Sequence, residues 1–373
     1  MTILNTLGRR ALFTLDPESA HHLSILALKS GLLPSCRAAY DKNLAVQTAG
    51  LSFPNPIGLA AGYDKNGEVP GEILRLGFGF TEIGSVTPKP QAGNPKPRIF
   101  RLPANQGVIN RLGFNNQGHQ AVLKRLEKFE NPHPGPIGIN IGANKDSADR
   151  IADYTLGLNV FYDHADYLTI NISSPNTPGL RGLQSRDSLG PLLDAVMAAR
   201  NMQREAGKKH KPIFLKIAPD LTIGELEEIA EELNRHAMDG LIISNTTMAR
   251  SSLRHEPDSN EAGGLSGKPL FERSTIVLAK MRKLVGPDMT LVGVGGIDCA
   301  ETALEKICAG ADILQLYTGF IYQGPGLVRS ILKELSTLVA RQGASSISQL
   351  RDRKLDEWAA KPIPAEADLE YPL

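Results

Sequence analysis

The chain is predicted to fold as an α/β protein: a (β/α)8 TIM barrel with an N-terminal two-helix extension. Two observations predict it. Eight short apolar runs rich in Ile, Leu and Val recur between residues 55 and 340, each closed by a polar or Gly-rich stop and followed by an amphipathic stretch. Continuous runs of this kind suit strands buried on both faces, and eight such units over roughly 290 residues fit a barrel, for which about 250 is typical. Second, no G-x-G-x-x-G turn follows an early run, as a doubly wound open sheet would usually require; Gly293-Val294-Gly295-Gly296 lacks that spacing.

Taken in order, residues 1–45 read as two short helices. The first carries Ile3, Leu4, Leu7, Ala11 and Leu12 on one face, with Arg9 and Arg10 off it. Asp16-Pro17-Glu18 then supplies an N-cap, a first-turn proline and an acidic first turn for the second. That helix carries Ala20, Leu23, Ile25, Leu26, Ala27 and Leu28 and ends at Gly31. The strand runs are Pro56–Ala61, Phe78–Val86, Ile137–Ile141, Tyr167–Ile172, Ile213–Ile217, Leu241–Ser244, Thr290–Val294 and Ile313–Tyr317. Helical periodicity between them is clearest at Gly224–His236, with Leu226, Ile229, Ala230 and Leu233 on one face, and at Leu270–Leu284. Residues 87–113 form a proline-rich insertion in which Arg98–Leu102 and Gly107–Arg111 can pair as short strands; an ordered loop of this length is usually a lid or a binding wall. The domain reading is therefore an extension at 1–45, a barrel at 46–341 and a tail at 342–373, with Trp358 as a docking point for the tail.

Composition narrows the function. The hydrophobic fraction is 41%, the charged fraction 22% and the net charge +1, which gives no support for nucleic-acid binding. Cys36, Cys299 and Cys308 form no C-x-x-C pair, so no zinc, cluster or disulfide framework is indicated. No apolar run reaches the ~20 residues of a spanning helix, and no secretory signal pattern is evident.

A barrel places its site at the C-terminal strand ends, and those ends are polar here. Strand one ends in Ala60-Ala61-Gly62-Tyr63-Asp64-Lys65, small residues that admit a planar ligand beside a lysine. Strand two offers Ser85, and strand three places Asn140 between apolar neighbours, where it must be hydrogen-bonded to protein or ligand. Strand four ends in Asn171-Ile172-Ser173-Ser174-Pro175-Asn176-Thr177, two amides and three hydroxyls in seven residues. Strand five holds Lys216 among apolar residues, a costly position unless it meets an anion or an electron-rich ring. Strand six ends in Ser244-Asn245-Thr246, and the glycine-rich turns after strands seven and eight are where barrels often bind phosphate through backbone N–H groups. No carboxylate pair suits glycoside hydrolysis, and no His cluster suits a metal hydrolase. A buried cation, a phosphate cradle and a wall of amides suit flavin mononucleotide with a flat, amide-rich substrate stacked on it.

These strings, in order from about residue 17 to 335, resemble the dihydroorotate dehydrogenases. The likeness is densest at Ala60–Gly67, Glu82–Pro90, Asn110–Asn115, Asn171–Thr177, Ser244–Thr247, Gly263–Pro269 and Tyr317–Thr318. Ser174 stands where the soluble class carries a cysteine, and the N-terminal helices are those the soluble class lacks. Both features point to the quinone-linked, membrane-associated class. The resemblance implies one FMN per chain held by Ala61, Gly62, Ser85, Asn140, Asn171, Lys216, Ser244, Gly267, Gly296, Tyr317 and Thr318, with Tyr63, Asp64 and Lys65 in the first flavin loop. It implies dihydroorotate held by Lys65, Asn110, Asn171, Asn176, Asn245 and Thr246, along a wall shaped by Arg111, Leu112, Gly113 and Phe114. Ser174 would remove a proton from C5, passing its own on through Thr177 or water, while hydride leaves C6. Ubiquinone or menaquinone would enter beneath the N-terminal helices, with His21, Arg101 and Tyr317 near its head group. No metal is expected, and a monomer bound peripherally at the cytoplasmic face of the inner cell membrane is. Residues 1–42 carry five basic and three acidic side chains, net +2, which suits an amphipathic pair lying in a membrane interface. The rivals are a related flavin barrel acting on another pyrimidine or on uridine in RNA, against which the near-zero net charge weighs, and a catalytically silent membrane-bound barrel.

Overall fold

A computed structural model describes residues 12–31, 41–129, 133–251 and 253–364. The expectations for residues 1–11, including the first helix, and for Cys36 lie outside the described residues. The eight runs all form strands: β1 Ile57–Leu59, β2 Phe80–Val86, β3 Ile137–Ile141, β4 Tyr167–Asn171, β5 Ile213–Ile217, β6 Gly240–Ile243, β7 Thr290–Val294 and β8 Ile313–Leu316. They pair in parallel in sequence order, and β8 pairs β1 to close the cylinder. All eight C-terminal ends therefore open on one side.

Each connecting helix buries one stripe against the cylinder. The helix Ile223–Arg235 shows how the sequence specifies this: Thr222 and Glu225 form a reciprocal capping box that satisfies first-turn N–H groups, and Leu226, Ile229, Ala230 and Leu233 are buried. At the N-terminal end of the cylinder, Tyr167 and Phe214 fill the interior where Gly138 and Gly240 leave room; a Cβ at Gly138 would collide with the Tyr167 ring. A hairpin of Val46–Thr48 with Leu51–Phe53, which the hydrophobic pattern does not announce, covers that end and sets Phe53 edge-on to Phe80, centroids 5.1 Å apart.

Above these rings the interior is polar. Glu82 of β2 is buried, and its carboxylate accepts hydrogen bonds from Asn140 Nδ2 (2.8 Å), Tyr167 OH (3.1 Å), Thr169 Oγ1 (3.2 Å) and Gln315 Nε2 (2.8 Å). Four donors from β3, β4 and β8 thus converge on one carboxylate. Glu82→Leu strands these donors and is expected to lower the unfolding free energy by about 3–5 kcal/mol. A urea midpoint equal to the parent's would show the network to be dispensable.

Outside the cylinder, Ile99–Leu102 and Gly107–Asn110 pair antiparallel as expected. A third strand, Gly264–Gly267, adds to Gly107–Asn110 from more than 150 residues away and completes a small sheet over the open end. The helix Pro17–Lys29 is capped by Asp16, whose carboxylate accepts from the N–H groups of Glu18 and Ser19, and Glu18 in turn pairs with the buried Arg98 at 2.6 Å. In the C-terminal segment Trp358 is buried and donates from Nε1 to Glu305 (2.8 Å), and Arg273 donates to the Pro364 carbonyl (2.6 Å).

Candidate active site

The strand ends and the small sheet enclose a cleft of about 1380 Å³, counting its solvent-filled mouth. Its lining brings together Ala61, Gly62, Lys65, Ser85, Asn110, Leu112, Gly113, Phe114, Asn171, Ser174, Asn176, Lys216, Ser244, Asn245, Thr246, Gly267, Gly296, Tyr317 and Thr318, from strand ends spread over more than 250 residues. Five expected residues lie elsewhere. Asn140 stands one layer behind the cleft, inside the cylinder. Thr177 is buried outside the cleft lining, and its hydroxyl oxygen has no hydrogen-bond partner among the described residues. Asp64 turns inward and accepts from the N–H groups of Glu68 and Val69, both at 2.8 Å, so it caps its own turn. Arg111 faces away, ion-paired with Glu261 at 2.5 Å and stacked over Phe100 at 4.5 Å. Tyr63 lines a second cavity described below.

A relay of hydrogen bonds fixes the amides. Glu82 takes the Asn140 Nδ2, which turns Asn140 Oδ1 toward Ser85 Oγ and Asn171 Nδ2; the latter is 3.2 Å away. Asn171 Nδ2 also reaches Ser85 Oγ at 2.9 Å, and Asn171 Oδ1 accepts from Ser173 Oγ (3.0 Å) and Asn245 Nδ2 (3.4 Å). Asn176 Nδ2 donates to Asn110 Oδ1 at 3.3 Å, tying the β4 loop to the small sheet. Each of these amides therefore presents a defined donor or acceptor edge, the preorganisation that recognition of a planar, amide-bearing ring requires. Ser174 is buried, and its Oγ accepts the Asn176 N–H at 3.3 Å, which orients the hydroxyl.

Two lysines supply the positive charge. Lys216 is buried and forms no ion pair or hydrogen bond with any described residue; burial pushes its ammonium below the usual range, and the Glu82 carboxylate opposes that shift. Lys65 is held down to about 8, by burial first and by the Arg98 guanidinium next among the depressing causes, against Glu18 and Asp64. A buried cation without a partner calls for an anion or polarisable acceptor. At the far wall Gly295 and Gly296 have φ of +107° and +74°, and a Cβ on Gly296 would collide with Phe271. Bare backbone thus faces the cleft beside Thr318, the construction of an anion cradle. These residues fit an FMN: small residues for the ring, Lys216 for its electron-rich edge and the glycine loop for its phosphate.

The second cavity lies under the helix Pro17–Lys29 and is lined mostly by apolar side chains, including Leu28, Phe320 and Ile321. It shares Ile99, Val108, Tyr317 and Ile321 with the cleft, so one layer of side chains divides the two. His21 stacks edge-on against Tyr63 (5.1 Å), which stacks edge-on against Tyr317 (5.7 Å). Burial pushes His21 down to about 3, so the imidazole is neutral at physiological pH. Arg101 donates to the carbonyls of Leu12 (3.3 Å) and Leu15 and lies over the Phe13 ring.

Sequence reasoning missed Gln106, Ser266, Lys268, Tyr322 and Gln323, which also line the cleft. Only the Gly263–Gly267 glycines hinted at a segment crossing the barrel mouth.

Fold and site together define an oxidoreductase-type (β/α)8 barrel with an amide-lined cleft in which the buried Ser174 lies among Asn171, Asn176 and Lys216. The family profile described as "Dihydroorotate dehydrogenase" matches residues 43–339. A protein of Brucella ovis named dihydroorotate dehydrogenase (quinone) is 60% identical over 361 residues, 97% of this chain and 99% of that one. Its counterpart in Brucella melitensis biotype 2 is 59% identical over the same share. Among solved structures, DHODH from Eimeria tenella in complex with ferulenol superposes with a TM-score of 0.85 at 38% identity, covering 91% of this chain and 96% of that one. The ligand-free form gives 0.85 at 40% identity, with 91% and 99% covered. The chain belongs to the dihydroorotate dehydrogenase family.

Proposed function

We infer that the chain oxidises (S)-dihydroorotate to orotate in pyrimidine synthesis, with FMN as hydride acceptor and a membrane quinone as final electron acceptor. One observation carries the reading: buried Ser174 shares a cleft with Lys216, which pairs with no described residue, with Lys65 and with an oriented set of Asn amides. The relatives' names support the quinone, as does the apolar cavity one side-chain layer from the cleft.

Lys65 pairs with the substrate carboxylate, while Asn110, Asn171, Asn176, Asn245 and Thr246 hold the ring amides. Their hydrogen bonds to the ring carbonyl acidify the C5 proton. Ser174 Oγ accepts that proton as its own hydroxyl proton leaves toward Thr177 or a water, so the serine ends as it began. The bound flavin supplies a two-electron acceptor for the hydride from C6. Lys216 and the Ser85–Asn140–Asn171 relay orient the ring against the substrate. Among the described residues no helix is long and apolar enough to cross a membrane, so association through the N-terminal helix is peripheral in this reading.

Anaerobic mixing of the yellow holoprotein with dihydroorotate is expected to bleach the flavin, and added quinone to restore it. Colour unchanged by dihydroorotate would overturn the assignment. Because Lys65 loses its charge as pH rises through about 8, kcat/KM for dihydroorotate is expected to fall about tenfold per pH unit above that value. The binding is complete below it, where the ammonium is protonated. A profile that stays flat to about pH 9.5 would remove Lys65 from carboxylate binding.

A further inference from the structure

Lys306 lies on the helix Ala300–Cys308 behind the glycine loop, outside the cleft. It is fully buried, yet no described carboxylate pairs with it. Its ammonium donates to Ser274 Oγ (2.8 Å) and Thr275 Oγ1 (3.0 Å) and lies 5.1 Å from the Phe271 ring centroid. All three belong to the start of the helix Phe271–Val285. Ser274 Oγ in turn lies 3.2 Å from the Phe271 carbonyl and 3.4 Å from the Gly295 carbonyl, sharing its one proton between them, and Phe271 is the residue against which Gly296 packs. A burial this complete disfavours the charged form strongly; the two hydroxyls and the Phe271 ring offset part of that cost, and no described carboxylate adds to them. An anion that occupies the loop in the working protein would offset the rest, and accounts for a lysine in such a place.

Resting on the flavin reading above, we propose that Lys306 is a buried positioning cation for phosphate recognition: one residue behind the Gly295–Gly296 loop, it holds the loop through Ser274 and adds positive potential where the FMN phosphate docks. It touches neither the phosphate nor the ring. The cleft-facing side of that loop offers backbone N–H groups and the Thr318 hydroxyl but, apart from Lys268 at the rim, no cationic side chain among the described residues. A charge held in the low-dielectric interior acts over this extra distance with little screening.

The test compares FMN with riboflavin, which has the ring and lacks the phosphate. Apoprotein is prepared from the parent, Lys306→Met and Lys306→Gln, and each flavin is titrated by quenching of its fluorescence. Lys306→Gln keeps hydrogen bonding to Ser274 and Thr275 without the charge, so it reports if the Met variant fails to fold. The expected result is FMN affinity at least about tenfold weaker in both variants, with riboflavin affinity unchanged. Loss of FMN and riboflavin affinity in equal measure, or of neither, overturns the proposal in favour of a packing role. A parent that takes up no FMN overturns the flavin reading itself, and the proposal with it.

Discussion

Ser174→Ala is expected to slow flavin reduction by dihydroorotate by roughly two to four orders of magnitude, the usual contribution of a positioned general base, while the protein stays yellow. The separation of effects follows from the geometry. Among the described residues the Ser174 side chain makes one hydrogen bond, accepting the Asn176 N–H, so its loss leaves the Asn171, Asn140 and Ser85 relay and the buried Lys216 in place. A serine is a weak base in water. Here it is buried and its oxygen is oriented by the Asn176 N–H; Thr177 Oγ1 makes no hydrogen bond to it or to any other described residue, so a proton relay to Thr177 needs a water between them. Thr177→Val tests that relay: it is expected to slow reduction by a smaller factor than Ser174→Ala and to leave the serine's orientation intact. Ser174→Cys, with a more acidic proton, is expected to retain part of the rate. Parent-level reduction by the alanine variant in anaerobic rapid mixing would take the proton transfer away from Ser174.

The parts of the fold legible in the sequence are those decided locally. Strands buried on both faces leave continuous apolar runs, so all eight are readable, and the expected Gly224–His236 helix differs from the observed Ile223–Arg235 by one residue at each end. The strand-end residues are readable because a polar side chain that closes a buried apolar run must find a hydrogen-bond partner, and at the C-terminal end of a barrel that partner is commonly a ligand. Lys216 is the clearest example, expected to need an anion or an electron-rich ring and found buried without an ion pair or hydrogen bond to any described residue. What is not legible depends on register between distant segments. Glu82 sits in a run that reads as apolar, and only the side-by-side placement of β2, β3 and β4 reveals that Asn140, Tyr167 and Thr169 all aim at it. The addition of Gly264–Gly267 to Gly107–Asn110, which brings Ser266 and Lys268 to the cleft, is set by pairing across more than 150 residues. Arg111 illustrates the converse: its neighbours Leu112 and Gly113 line the cleft, yet alternation along an extended segment turns its own side chain to Glu261.

The N-terminal helix exposes apolar side chains, which is the physical basis for expecting it to dock on a membrane. On the helix Pro17–Lys29, Ile25 and Leu28 are buried against the barrel, but Leu26 is 45% exposed and Leu15, just before the helix, 39%. Neither lines the cavity beneath the helix or the cleft, so substituting them leaves both linings unchanged. Each leucine inserted into a bilayer interface contributes about 1.5–3 kcal/mol. The double substitution Leu15→Glu/Leu26→Glu is therefore expected to weaken vesicle binding by roughly two to four orders of magnitude. Reduction of the flavin by dihydroorotate, and turnover with a short-chain, water-soluble quinone, should stay at the parent level, while turnover with long-chain quinone in vesicles falls in step with binding. That pattern distinguishes docking from catalysis, because a helix that merely braces the barrel would lose activity with both quinones or with neither. Cosedimentation with vesicles at the parent level would show that these leucines do not meet the membrane.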